Sequence, residues 1–299
     1  RVGIHIAAPA LAVKPSGALD AIVLRRLSTV YMPGNKITML PEAVVRPFSL
    51  DEGETRPVLS LYCEVTPDLT IVACDSKVER IQIKENLRHD VLEPLFNANT
   101  LETGGGHPLW DDLKFLHDFA ESLEKARGKY DPNRAPQIDY NFYVNDGVVR
   151  IVARERGSPM DKLVAELMIY ANSTWGDMLN KAGFVGIYRA QTGGKVFMTT
   201  EATPHQGMGL EQYAWCTSPL RRAVDLINQR QLVALLNQEP APYSAEGGEL
   251  KTVIRDFDQT YQSYSEFQTR MERYWCLQYL IQENFKEVNA TVWRENLVR

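Results

Sequence analysis

The chain is poor in cysteine: Cys63, Cys74, Cys216 and Cys276 are the only four in 299 residues. None forms a C-x-x-C pair or follows zinc-ligand spacing. They read as buried free thiols of a reducing compartment, not as a disulfide or metal framework. No run approaches the roughly 18–20 apolar residues that a membrane helix needs. Positive charge is not in excess: 33 Lys and Arg against 38 Asp and Glu leave a net charge of −5. That excludes binding nucleic acid by bulk positive charge, and leaves room for a locally basic channel. Internal repeats and low-complexity tracts are absent too. The first residue is Arg1 and not methionine, which gives the expectation of a piece of a longer product. RVGIHIAAPALAV lacks the basic start of a secretory signal. What is present, 44% hydrophobic and 24% charged residues, suits a soluble globular protein of one large domain or two small ones.

Val2, Ile4 and Ile6 alternate as in a strand. Residues 18–31 carry helical spacing, stopped by Tyr31-Met32-Pro33-Gly34. Leu59, Leu61, Cys63 and Val65 alternate through 57–66, Pro67-Asp68 turns the chain, and 69–84 returns as an antiparallel partner. Helices are expected at about 85–96 and 109–127, and a hairpin at 141–152 with Asp146-Gly147 at its turn. A long helix follows at 160–182, a short strand at 183–190 and a polar surface loop at 191–212. Helices at 219–238 and about 249–285 and a strand in ATVWREN (290–296) close the chain. Strict βαβ alternation is lacking, so the fold class is α+β.

The most informative segment is Tyr213-Ala-Trp-Cys-Thr-Ser-Pro-Leu-Arg-Arg-Ala-Val-Asp225. Ser218 suits an N-cap and Pro219 the first helical position, which puts Arg221 and Arg222 in the first turn. Cations there oppose the helix dipole. The free N–H groups of a helix start and two guanidinium forks together make a phosphate site. A broken local rule favours that functional reading over a plain Arg221–Asp225 (i, i+4) pair on a solvated face. Tyr31 and Tyr130 sit at turns, where a base could stack on them, although core packing is the ordinary fate of a tyrosine. His205, in the loop before the arginines, touches substrate or orders that loop. Gly104-Gly105-Gly106-His107 lacks the phosphate-loop pattern. Asp111-Asp112, His89-Asp90 and His117-Asp118 read as helix-start acids or surface pairs, not metal ligands.

Together these segments resemble the catalytic (RNB) domain of the ribonuclease II family. RVGIHIA resembles its V-H-I-A-D strand, and SGALD…TVYMPGNKITMLPEAV its G-S-x-L-D…Y-L-P-G…I-P-M-L-P segment. LVAELMIYAN resembles I-E-E-x-M-x-x-A-N, and PHQGMGLEQYAWCTSPLRRAVDL resembles G-H-F-G-L-x-x-Y-x-x-F-T-S-P-I-R-R-Y-x-D-L. The matches run in order through nearly the whole chain. The resemblance implies an RNB-type domain over 1–299, a mixed or antiparallel sheet flanked by helices with long C-terminal helices. It implies a processive 3′→5′ exoribonuclease, cytoplasmic and monomeric, that threads single-stranded RNA and releases nucleoside monophosphates with Mg²⁺. By matched position, Arg221 is the catalytic arginine beside the scissile phosphate. Tyr31, Tyr130, Glu166, His205 and Arg222 bind RNA, and Asp225 gives structural support.

Two departures qualify what the resemblance implies. The family's metal-binding cluster, D-x-D-D-A, lies just before the V-H-I-A-D strand, so Mg²⁺ ligands are expected upstream of Arg1 and none within 1–299. The aspartate of H-I-A-D is Ala8 here. A family glutamate on the late helix falls near Gln268 or Thr269, flanked by Glu266 and Glu272. The family's cold-shock-like and OB-type RNA-binding modules have no counterpart within these residues, and the segment alone is expected to be inactive. The competing readings are a catalytically inactive RNA-binding relative and a scaffold with no RNA affinity.

Overall fold

The computed structural model describes residues 1–135, 137–289, 292–294 and 297–298. The chain opens with β1 (Val2–Ala7), α1 (Ala18–Arg26), the hairpin β2–β3 (Val30–Met32 and Asn35–Ile37) and the short α2 (Glu42–Val45). The long hairpin β4–β5 (Thr55–Val65 and Ile71–Gln82) leads to α3 (His89–Leu92), α4 (Ala98–Thr103) and α5 (Trp110–Ala126). A second hairpin, β6–β7 (Gln137–Asn145 and Val148–Arg156), precedes α6 (Pro159–Lys181). Then come the hairpin β8–β9 (Tyr188–Thr192 and Lys195–Thr199), α7 (Ala223–Leu236), α8 (Glu249–Gln282), and β10 (Val292–Arg294) paired with β11 (Leu297–Val298).

The framework is an antiparallel sheet of order β1-β4-β5. Ile4 lies opposite Leu61 and Ile6 opposite Leu59, so strand alternation gathers the apolar side chains on one face. Helices α5 and α6 cover that face with Leu113, Phe119, Leu167, Ala171 and Trp175. Helix α6 starts where its sequence dictates: Ser158 Oγ accepts from Asp161 N–H at 3.2 Å, and Pro159 follows. Trp175 is fully buried and donates from its indole N–H to Ser76 Oγ. Truncating such a side chain costs about 3–5 kcal/mol.

Helix α7 is buried on every side, including Asn228, Gln229, Arg230 and Gln231. A helix lies there at low cost when most of its polar groups find partners. Gln229 donates to Ala7 O and accepts from Ala10 N–H, tying the end of β1 to α7. Asn228 bonds Ile187 and Trp215. Arg230 pairs with Asp20 at 2.8 Å and bonds Tyr243 and Val13.

The α+β class, the β4–β5 pairing, the Asp146-Gly147 hairpin and helix α6 agree with the sequence reading. Four expectations are corrected. The helix expected over 18–31 stops at Arg26, with Leu27 at φ +60°. Tertiary pairing takes over there: Ala223 N–H donates to Leu27 O at 2.8 Å, and Thr29 N–H to Arg221 O at 2.9 Å. The helix of 85–96 shrinks to α3, and the strand of 183–190 begins only at Tyr188. The polar loop of 191–212 contains β9, paired with β8. The closing strand is Val292–Arg294, the rest of 290–296 lying outside the described residues. Among the described residues no helix is long and apolar enough to cross a membrane.

Candidate catalytic site and nucleic-acid interface

The pairing of residues 27–29 with 221–223 brings Tyr31 and Arg221 to the same place. Both line a cavity of about 430 Å³, with His5 on β1, Lys36 on β3, and Thr217 and Ser218 on the turn before α7. Arg221 and Lys36 are exposed, as is Tyr31. Among the described residues the lining has these two cations and no carboxylate. In a chain of net charge −5, this is a local anion site with an aromatic face beside it.

The arginines do not stand in the first turn of a helix. Helix α7 begins at Ala223 with Arg222 as its N-cap residue, so Ser218 is not the cap. Ser218 O instead accepts from the N–H groups of Arg221 and Arg222, closing a turn that aims Arg221 outward. The expected Arg221–Asp225 pair is an Arg222–Asp225 pair. Arg222 Nη2 donates to Asp225 Oδ1 at 2.7 Å, and its Nε lies 2.7 Å from Oδ2. Asp225 Oδ1 also accepts from Ser218 N–H at 2.8 Å. The Arg222 guanidinium stacks on Trp215, 3.9 Å from the ring centroid, with Arg189 at 4.7 Å. Arg222 is therefore buried and paired with Asp225, and Asp225 anchors the turn that presents Arg221. Asn172 on α6 pins the same stretch, accepting from Cys216 N–H at 2.8 Å and donating to Thr217 Oγ1.

Tyr130 and Glu166 line a different cavity of about 820 Å³, between the loop after α5, hairpin β6–β7 and α6. Lys125 and Lys162 lie over the Tyr130 ring at 4.5 and 5.2 Å. Met168 lines the first cavity and Glu166 the second. Residues two apart on a helix project to opposite sides, so α6 is a wall between the cavities. Glu166 is buried, and its carboxylate holds Arg127 through two bonds of 2.6 and 3.1 Å. Burial pushes its carboxyl up against the opposing pull of Arg127. Its oxygens thus face an internal ion pair, not an open surface.

His205 is buried with its ring edge-on to Tyr213, and its backbone N–H donates to Leu210 O. It orders the loop and is not among the residues lining the Tyr31–Arg221 cavity. Burial lowers the pKa of His205, and equally of His5 and His117. Each is then neutral in the fold and takes up a proton more readily when unfolded. Their contribution is complete above the ordinary histidine value of about 6.5 and is lost as pH falls through the folded values. The urea midpoint is expected to decline from about pH 6.5 downward, and His117→Asn to flatten that decline. A midpoint that is unchanged down to about pH 5 would contradict this.

The residues lining the first cavity do not fit a divalent cation. Mg²⁺ needs carboxylate oxygens, and Ala8, fully buried, stands where the resemblance places an aspartate. Among the described residues, His89, Glu93 and Asp161 are close enough to share an ion. A guanidinium already fills that centre: Arg154 Nη2 lies 2.7 Å from Glu93 Oε1 and 2.6 Å from Asp161 Oδ1.

Sequence reasoning missed His5, Lys36 and Asn172. The signal for Lys36 was present: a hairpin turning at Pro33-Gly34 sets it opposite Tyr31. His5 follows from strand alternation, since Ile4 and Ile6 take the core face.

The chain matches the RNB domain over residues 1–196 and 194–238. Exoribonuclease 2 of Edwardsiella piscicida is 28% identical, over 80% of this chain and 46% of that protein. An uncharacterized ribonuclease of Synechocystis is 27% identical over 96% of this chain. The chain spans about half the length of the curated relatives it matches. The Dss1 exoribonuclease of Candida glabrata superposes with a TM-score of 0.79 at 20% identity, covering 95% of this chain and 42% of that one. With the domain match spanning both the Tyr31 hairpin and the Arg221 turn, the chain belongs to the RNB domain family.

Proposed function

We propose that this chain is the RNB catalytic domain of a processive 3′→5′ exoribonuclease that hydrolyses single-stranded RNA to nucleoside monophosphates. The observation that carries the reading is the convergence of Tyr31 and Arg221 on one carboxylate-free cavity, in a family whose members include proteins named exoribonuclease 2. The base of the terminal nucleotide stacks on Tyr31, and its phosphate meets Arg221. The guanidinium is held out by the turn that Asp225 anchors, so it is in place before charge develops on the phosphoryl oxygens. Tyr130, in the second cavity, would contact RNA further along its path. Mg²⁺ is proposed for the whole protein, with its ligands supplied from outside these residues.

A second reading, an inactive RNA-binding relative, is favoured by Ala8. Yeast Ssd1, a pseudonuclease, shares the fold with a TM-score of 0.70 at 16% identity over 90% of this chain and 40% of that one. A 5′-labelled single-stranded RNA incubated with the whole protein separates the two. Mg²⁺-dependent conversion to short 5′ products, stopped by EDTA, is expected. Intact RNA with a shifted mobility would replace the enzyme reading with the binding one.

A further inference from the structure

We propose that Lys36 is a second phosphate-binding residue of the Tyr31–Arg221 cavity, holding the RNA backbone at the linkage next to the one that Arg221 faces; the inference rests on the RNA reading above. Tyr31 and Lys36 are direct partners across the β2–β3 hairpin. Side chains so paired rise from the same face with Cβ atoms about 4.5–5.5 Å apart. A base stacked on Tyr31 therefore has the Lys36 ammonium beside it, while Arg221 reaches in from the turn before α7.

The availability of this charge is the second argument. Several inward-turned cations are held in ion pairs: Arg222 on Asp225, Arg127 on Glu166, Arg230 on Asp20 and Arg154 on Glu93 and Asp161. Lys36 and Arg221 form no such pair among the described residues, and no carboxylate lines the cavity they share. Thr38 and Ser218, on the same walls, add hydroxyl groups. Two cations and an aromatic ring on the lining of one cavity offer contacts to more than one phosphate of a strand whose base stacks on the ring. The residue type fits as well. A lysine ammonium is a hydrated point charge on a flexible stem, able to follow a phosphate that moves past it, whereas an arginine fork favours one fixed geometry.

The test measures binding of the whole protein to a single-stranded oligoribonucleotide across a salt series, for wild type, Lys36→Gln and Lys36→Arg. Circular dichroism confirms that each variant is folded; the side chain is exposed, so folding is expected to be intact. Losing one phosphate contact lowers the slope of log Kd against log salt by about 0.7, equivalent to a roughly fourfold weaker Kd at 0.15 M salt. That result for Lys36→Gln, with the slope kept in Lys36→Arg, is expected, and the loss should be the same for every RNA sequence. A purely structural role would not change the slope. An unchanged slope in Lys36→Gln, with wild type binding RNA, overturns this inference and leaves the proposed function standing. Failure of wild type to bind RNA overturns both.

Discussion

Replacing Arg221 by alanine in the whole protein is expected to lower turnover of single-stranded RNA at least about a hundredfold, the scale of one preorganised charge stabiliser, with RNA affinity largely kept. The structure gives the reason for the split between rate and binding. Arg221 is exposed to the cavity and carries no ion pair among the described residues, so its removal strands no buried charge there. Its backbone, not its side chain, makes the links to Ser28 and Thr29. On the proposed reading, ground-state contact with the strand is shared with Tyr31 and Lys36, whereas charge developing on the phosphate would be met by the guanidinium. Arg221→Lys keeps the charge but loses the planar fork, and should recover only part of the rate. Single-turnover kinetics with a saturating protein concentration read the effect directly. Near-normal turnover by Arg221→Ala would remove the catalytic assignment.

Asp225→Ala is expected to produce the largest stability loss of any change near the site, about 3–5 kcal/mol. Deleting one partner of a buried ion pair strands the other charge. Asp225 is fully buried, and its carboxylate satisfies both the Arg222 guanidinium and the Ser218 N–H. The Arg222 side chain cannot swing to water without leaving Trp215. The double substitution Arg222→Ala/Asp225→Ala should cost less than the sum of the single changes, since no charge is then left alone. Urea midpoints at constant slope measure all three variants. A loss below about 1 kcal/mol for Asp225→Ala would show that the pair is not the anchor described. Activity of Asp225→Ala should fall as well, because the turn that presents Arg221 loses its fastening to Ser218.

The chemistry-bearing residues were legible where local spacing or a long motif carries them. The alternation of Leu59, Leu61 and Cys63 identifies β4, and Asp146-Gly147 marks the turn of the β6–β7 hairpin, because strand faces and tight turns are set by neighbours in sequence. The segment from Tyr213 to Asp225 identified the place of Arg221. It misled on how that arginine is presented. Ser218 and Pro219 have the residue types of a helix start, yet the chain makes a turn there, because Leu27 and Thr29 hydrogen-bond to residues 223 and 221. The same long-range pairing shortens the helix of 18–31, and Tyr31 becomes a strand residue by pairing with Lys36 across the β2–β3 hairpin. Local propensity is a weak prior, and backbone pairing with a distant segment outweighs it. Glu166, His205 and Arg222 were named from matched positions alone. Their burial depends on Arg127, Tyr213 and Asp225, partners that no sequence pattern selects.

By itself the sequence determined the class of the fold, the hairpins β4–β5 and β6–β7, the long helix α6 and the residue types available for phosphate chemistry, since these follow from periodicity, turn residues and charge. The tertiary structure alone decided which charges are free. Burial forces Arg222, Arg127 and Arg230 into ion pairs, as a charge removed from water must find a partner. Among the described residues it leaves Arg221 and Lys36 without an ion pair on the cavity they share with Tyr31, because the pairing of residues 27–29 with 221–223 holds an exposed hairpin and an exposed turn around it.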